Sequence, residues 1–131
     1  MKTESLSMSA VIPAKPHEIY VSWLSSKGHS AMTQSPATGS ARVGGKFTSW
    51  EGYISGRNLE LERDRRIVQS WRTTEFPDEA PDSRLEIKLE AAKAGTKVTL
   101  KHSGIPAGQG SGYRQGWRDF YFTPMKKHFG K

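Results

Sequence analysis

The C-terminal segment of the chain, from residue 104 onwards, constrains the fold more than any other. A glycine-rich turn over residues 108–112 leads into a run of large aromatic residues. Apolar or aromatic side chains recur there mostly in steps of three and four, at Tyr113, Trp117, Phe120, Tyr121, Pro124 and His128. This spacing predicts a helix that carries its rings on one stripe. Such a helix must lie against a large apolar surface, which the rest of the chain has to provide.

The preceding residues are predicted to form short strands and two short helices. Alternation of polar and apolar residues predicts a first strand over 4–12, which Pro13 ends. Pro16 suits the start of a helix over 16–24, and a second short helix is predicted over 27–34. Turn-forming residues separate the remaining predicted strands, which are 37–43, 46–54, 58–63, 66–74, 84–92 and 96–102.

These elements predict an α+β architecture. Short strands joined by short turns pair antiparallel with their neighbours, and a sheet of six or seven strands curls. The terminal helix, about 19 residues and about 28 Å long, suits the concave face of such a sheet. Pro124 removes one helical hydrogen bond, which predicts a bend near Phe120. We therefore expect one domain over residues 1–131.

The space between the sheet and the last helix is the candidate binding site. The residues predicted to line it are Trp23, Phe47, Ile67, Trp71, Leu85, Leu89, Trp117, Phe120, Tyr121 and His128. Trp71 and Trp117 offer flat faces on which a ligand ring could stack, although packed core tryptophans are commoner. The sequence leaves open whether this space is a ligand cavity or a filled core.

Charge is distributed unevenly along the chain. The net charge is +7, and residues 97–131 carry seven Lys or Arg against one acid. One interpretation is an acidic partner; the favoured one is a solvated helix face, because the basic side chains lie away from the aromatic stripe. A protein partner would meet Arg114, Arg118, Lys126 and Lys127. Nucleic-acid binding is not predicted, because no strand face clearly interleaves aromatic and basic residues.

The sequence offers no signature of an enzyme. There is no cysteine, which excludes disulfides, thiolate catalysis and cysteine-ligated metals. His17, His29, His102 and His128 show no metal-ligand spacing, and no Ser/His/Asp arrangement is identifiable. The glycine turn before the last helix is similar to a phosphate loop, but no strand follows it, so a connector is favoured. We therefore predict no catalytic site, no metal and no cofactor.

The same sequence argues against a membrane protein. No segment approaches the run of about 20 apolar residues that spans a bilayer. The first residues contain no apolar core of a signal peptide. We therefore expect a cytoplasmic monomer without membrane insertion.

Several short motifs occur together in a specific order. They are Gly56 and the segments 44–47, 67–72, 95–96, 104–106, 114–117, 120–122 and 127–130. With these motifs the chain, from about residue 4 to residue 130, resembles the C-terminal domain of the activator of heat-shock protein 90 ATPase and its bacterial single-domain relatives. The resemblance implies the helix-grip fold of the START-like superfamily, in which a curved antiparallel sheet grips a long C-terminal helix, often around an apolar cavity.

The resemblance implies two functions. The first is non-enzymatic binding of a small hydrophobic ligand, a lipid or an aromatic metabolite, in the cavity. The alternative is a co-chaperone role, in which the protein binds heat-shock protein 90 and modulates its ATPase. The eukaryotic co-chaperone of this family has a separate N-terminal domain that carries much of the chaperone contact. This chain starts directly at the first strand, so we expect only slight ATPase activation.

Overall fold

The computed structural model describes residues 2–130, which form one curved antiparallel sheet covered by helices. The strands are β1 Thr3–Ile12, β2 Lys46–Ser49, β3 Ile54–Glu62, β4 Arg66–Thr73, β5 Ser83–Ala92 and β6 Gly95–Pro106. The helices are α1 Pro16–Leu24, α2 Ser26–Thr33, α3 Gly110–Trp117 and α4 Thr123–Phe129, and a π-helical turn, Arg118–Phe122, joins the last two. The predicted α+β helix-grip architecture is confirmed, with six strands.

The strand order is β1-β6-β5-β4-β3-β2, so the first strand pairs with the last. In this pair Thr3 lies opposite Pro106 and Ile12 lies opposite Thr96. From β2 to β6, successive strands form antiparallel hairpins. β1 and β2 are therefore the two edges of the sheet, and the last helix crosses the face between them.

Alternation along the central strands separates the core from the outer face. On β5, Leu85, Ile87 and Leu89 are buried against the helices. Between them Glu86 points outward, where its carboxylate accepts a 2.7 Å hydrogen bond from Arg66 Nε. This period of two is what the sequence pattern predicted for half-buried strands.

The strand predicted over residues 37–43 is not formed. Only Thr38 pairs in strand fashion, as an isolated bridge to Thr48. The rest is a loop, because its backbone carbonyls accept hydrogen bonds from the side-chain amide of Asn58 and not from a neighbouring strand. Asn58 Nδ2 donates to the carbonyl oxygens of Ser40 and Arg42, at 2.7 and 2.9 Å.

The strand predicted over 46–54 is divided by a turn at residues 50–53. Trp50 and Glu51 have φ values of 52° and 59°, and Gly52 follows with 86°. The chain therefore reverses here, and not between residues 54 and 58, where the two predicted strands are separated. Gly56 instead lies inside β3, where a Cβ atom would collide with the carbonyl oxygen of Ser70. Glycine is found in strands at such close backbone approaches.

The last helix changes its winding just before Pro124. In the π-helical turn, the Thr123 N–H donates to the carbonyl of Arg118, five residues back. The turn holds an additional residue, which changes the phase of the side chains that follow it. The core positions are Tyr121 and Phe122 within the turn and Met125 after it.

Two residues of the predicted aromatic stripe lie outside the packed core. Phe120 is 54% exposed, and His128 is half-buried with its ring against Phe129 at 4.8 Å.

Within residues 2–130, no helix has the length and apolar character needed to cross a membrane.

Candidate functional site

A partly open cavity of about 320 Å³ lies where the turn at 50–53 faces the last helix. Its nine wall residues come from this turn, the start of β3, the end of β4 and the helix, and seven of them are aromatic. They are Trp50, Tyr53, Ile54, Trp71, Tyr113, Gly116, Trp117, Phe120 and Tyr121. We call this cavity the aromatic pocket.

The helix supplies five of these residues in two rows. Tyr113, Trp117 and Tyr121 follow one another at intervals of four, and so do Gly116 and Phe120. Residues four apart lie on the same helix face, so each row runs along the pocket. Gly116 leaves room in the wall, since a Cβ atom there would have Phe120 Cδ2 as its neighbour at 3.9 Å.

The deep side of the pocket is a cluster of packed rings. Trp71 lies 5.1 Å from Tyr113 and 5.5 Å from Trp117, measured between ring centroids. Trp117 also contacts Tyr121, at 4.8 Å. Trp71 and Tyr113 meet edge to face, and the other two pairs are tilted. Such ring pairs add to the stability gained from burial alone.

The mouth of the pocket is formed by Trp50 and Phe120. Their rings meet edge to face, with centroids 5.3 Å apart and planes at 67°. Phe120 is more than half exposed, and Trp50 is half-buried. The outer wall therefore consists of two large rings with little covering them.

A buried hydrogen-bond chain holds the deep rings in place. Trp117 Nε1 donates to His102 Nδ1 at 3.2 Å, and His102 Nε2 lies 2.8 Å from Ser83 Oγ. Ser83 Oγ donates to the carbonyl oxygen of Trp71 at 2.6 Å. Because Nδ1 accepts, the His102 ring carries its proton on Nε2. Burial lowers the pKa of His102 to about 3, so the imidazole stays neutral.

A second histidine supports Tyr121 from behind. His29 Nδ1 donates to the carbonyl oxygen of Trp23 at 2.8 Å, and Nε2 lies 2.8 Å from the Tyr121 hydroxyl. That hydroxyl also lies 3.0 Å from Ser49 Oγ. Burial lowers the pKa of His29, although its bond to the Trp23 backbone opposes this, and burial raises the pKa of Tyr121.

Polar groups surround the pocket at the end of β4. The Tyr113 hydroxyl lies 2.7 Å from Thr73 Oγ1 and donates to Gln109 Oε1 at 2.6 Å. The Tyr53 hydroxyl donates to the Glu75 carboxylate. Burial, and next this carboxylate, raise the pKa of Tyr53, so its hydroxyl keeps its proton. No wall residue is charged, so the pocket suits an apolar or neutral molecule.

A protein-family model described as Activator of Hsp90 ATPase homolog 1-like protein matches residues 13–130. The chain belongs to this family. The human activator of 90 kDa heat shock protein ATPase homolog 1 is 30% identical over 128 residues, covering 98% of this chain and 38% of the human protein. The homologue from Dictyostelium discoideum is 28% identical over 128 residues, covering 97% of this chain and 33% of that protein. The chain thus spans about a third of the length of these relatives.

Solved structures of other proteins share the fold. An HSP90 activator from Plasmodium falciparum superposes with a TM-score of 0.87 at 22% identity, covering 96% of both chains. The Aha1 dimer from Colwellia psychrerythraea gives a TM-score of 0.75 at 16% identity, covering 89% of this chain and 90% of that one. The resemblance predicted from the sequence motifs is therefore confirmed, both for the family and for the fold.

The structure brings four of the ten predicted lining residues together on the pocket wall, and these are Trp71, Trp117, Phe120 and Tyr121. Five others are buried in the packed core away from the wall: Trp23, Phe47, Ile67, Leu85 and Leu89. His128 lies near the end of α4, outside the pocket. The cavity therefore occupies one end of the space between sheet and helix, and the remainder is filled.

Sequence reasoning did not assign Trp50, Tyr53, Ile54, Tyr113 and Gly116 to the wall. Tyr113 belongs to the predicted aromatic stripe, and its interval of four from Trp117 is a signal for its place on the wall. The strand predicted over residues 46–54 includes Trp50 and Tyr53 in one extended segment, which hides the turn that carries them. The Trp-Glu-Gly-Tyr sequence places a glycine between two aromatic residues, and this is the signal for a turn.

The four basic residues predicted to meet a partner lie on the outer side of the last helix. Arg114, Arg118, Lys126 and Lys127 are all exposed. Within residues 2–130, no salt bridge joins any of them to an acid.

The described residues also contain no group of three or more His, Asp or Glu side chains arranged to hold a metal ion.

Proposed function

We propose that the aromatic pocket binds a small, flat, uncharged organic molecule without transforming it. The observation that carries this proposal is a cavity of about 320 Å³ whose nine wall residues include seven aromatic rings. Ligand sites in proteins begin at about 300 Å³, and most of their lining is apolar or aromatic. A cavity of about 150 Å³ accommodates benzene, so this one suits a molecule of about two fused rings.

Gly116 provides a way to fill the pocket without disturbing the core. A leucine there would project into the cavity, because its Cβ atom meets only Phe120 Cδ2, at 3.9 Å. Gly112, one turn earlier, has open space around it and does not line the pocket, so Gly112→Leu is the matched control. Both changes replace a helical glycine by a better helix former.

The test is an NMR titration of the labelled protein with naphthalene, and with decanol as an elongated apolar comparison. We expect naphthalene to shift the indole resonances of Trp71 and Trp117 in the unchanged protein and in Gly112→Leu. Gly116→Leu should weaken binding about tenfold or more, because the added side chain occupies the site. Decanol binding with no naphthalene response would contradict a flat ligand. Silence of both probes would contradict the pocket proposal.

We propose as a second function that the exposed basic face of the last helix contacts the 90 kDa heat shock protein, in the cytoplasm. Its support is the 30% identity to a human relative named as an activator of that ATPase. Arg114, Arg118, Lys126 and Lys127 form this face and are available for acidic groups of a partner. Charges at the rim of an interface chiefly accelerate association.

Calorimetric titration of the chain with the purified chaperone tests this second proposal. Arg114→Glu with Arg118→Glu should abolish or strongly weaken binding. Lys27→Glu with Lys93→Glu changes the net charge equally at exposed sites on α2 and on the β5–β6 turn, and should leave binding intact. Binding should also weaken as salt rises, since exposed charges are screened. Equal affinities for the two double variants would rule out this surface.

A further inference from the structure

The indole nitrogen of Trp50 is a buried donor without an acceptor. Nε1 of Trp50 is shielded from solvent, and no hydrogen-bond partner for it exists among residues 2–130. Buried polar groups in folded proteins are nearly always paired, since an unpaired one loses its bond to water without compensation. An orphaned donor therefore calls for a functional explanation, and this one belongs to a pocket-wall residue.

Other polar groups on the same wall are already engaged by the protein. The hydroxyls of Tyr53, Tyr113 and Tyr121 each have a side-chain partner. The indole N–H of Trp117 donates to His102. The donor of Trp50 thus stands apart from them as a group that a bound molecule could satisfy.

The backbone that carries Trp50 is held in an uncommon conformation. Trp50 and Glu51 both lie in the left-handed region, with φ of 52° and 59°. Side-chain-bearing residues seldom adopt it, and such residues cluster at ligand clamps and switches. The Trp50 ring also packs at the mouth against Phe120, which is 54% exposed.

We propose that the Trp50 indole N–H recognises a hydrogen-bond acceptor on the ligand, so that the pocket selects neutral aromatic compounds bearing a ring nitrogen or a carbonyl. This inference rests on the proposed ligand-binding function and adds the chemical class. The flat body of the ligand lies among the rings of Trp71, Trp117 and Tyr121. Its acceptor faces the turn at 50–53, where a small rotation of the indole brings Nε1 to it.

Naphthalene and quinoline form a matched pair for the test, because quinoline replaces one ring CH with an accepting nitrogen. At mildly basic pH quinoline is uncharged. We expect quinoline, and not naphthalene, to move the Trp50 indole N–H resonance downfield. The preference for quinoline, expressed as the ratio of the two dissociation constants, should fall about fivefold in Trp50→Phe, which is the value of one neutral hydrogen bond.

Tyr113→Phe is the control, since it removes a wall hydroxyl that already has protein partners. It should change both affinities by the same factor and leave the ratio unchanged. The NMR measurement on the unchanged protein decides the question even if Trp50→Phe does not fold.

The outcomes separate this inference from the pocket proposal. If both compounds bind, and neither the Trp50 resonance nor the ratio responds, the acceptor role is overturned while the pocket proposal stands. If neither compound binds, both are overturned.

Discussion

His102 illustrates how one side chain can hold a wall of rings in position. Its two nitrogens connect Trp117 of the helix to Ser83 at the start of β5, at 3.2 and 2.8 Å. The imidazole is fully buried and must remain neutral, because Nδ1 has to accept from the indole. The residue thus stabilises the pocket without contacting it, a role that its sequence neighbours do not reveal.

Stability should decrease as the pH falls, because His102 cannot accept a proton while folded. Its pKa is about 3 in the folded protein against a usual value of 6.5. Between these values the unfolded chain binds a proton that the native state lacks, so the free energy of unfolding falls with pH. From about pH 6.5 to about pH 5 the loss is about 2 kcal/mol. Urea unfolding at several pH values measures it.

Two histidine variants test whether His102 causes this pH dependence of stability. His102→Gln retains a donor and an acceptor for Ser83 and Trp117 without titrating, so the pH dependence should become shallower. If only His29→Gln made it shallower, the buried His29 would be the group responsible, since its pKa is lowered as well.

At the scale of elements, one amide determines that residues 37–45 form a loop and not a strand. Asn58 is 1% exposed, and its side chain holds the carbonyls of Ser40 and Arg42. Its oxygen accepts from Gln69 Nε2 at 2.9 Å, and Gln69 in turn accepts from the Trp23 indole at 3.2 Å. This chain of bonds connects the loop, β3, β4 and α1.

Asn58→Ala should destabilise the protein by about 2–4 kcal/mol, because it leaves several buried polar groups unpaired. Leu59→Ala is the neighbouring control, and it should cost less than about 1 kcal/mol since Leu59 is 44% exposed. Urea unfolding measures both changes. Amide hydrogen exchange should also accelerate over residues 37–45 in Asn58→Ala alone. Equal costs for the two variants would show that the amide does not anchor the loop.

The sequence predicted elements whose signal is local and missed those that depend on distant contacts. The first helix and the central strands follow from apolar periodicity and Pro16, so their predicted positions agree with the structure within a few residues. The π-helical turn could not be predicted, because it depends on how Tyr121, Phe122 and Met125 pack together against the sheet. The pocket lies in the space that the sequence predicts between sheet and helix, but four of its wall residues depend on the missed turn or on helix phase.

At the scale of the whole molecule, the sheet is completed by the pairing of β1 with β6, the two strands that lie farthest apart in the sequence. The β2 to β6 strands are joined as hairpins, whereas β1 reaches across the chain to β6. Closing such a long loop costs more entropy than closing a hairpin. The contacts that offset this entropy cost form only when most of the sheet is already in place. We therefore expect β1 to join the sheet after the β4–β5–β6 meander has formed.

Two matched substitutions test this order of folding. Ile12 in β1 and Ile87 in β5 are both fully buried, so Ile12→Val and Ile87→Val each remove one methyl group and should cost about 0.5–1.5 kcal/mol. Ile87→Val should chiefly slow folding, and Ile12→Val should chiefly accelerate unfolding. Stopped-flow chevron plots separate the two rates. The reverse assignment would mean that β1 docks early.

The pairing of β1 with β6 also has a consequence for protein synthesis. Ile12 leaves the ribosome roughly ten seconds before its partner Thr96, at roughly 5–20 residues per second. During that interval β1 has no neighbouring strand, and an unpaired apolar strand is prone to aggregate. Its exposed serines, Ser5, Ser7 and Ser9, interrupt the apolar residues at every second position. These serines therefore limit the continuous apolar surface that the unpaired strand exposes until the last strand emerges.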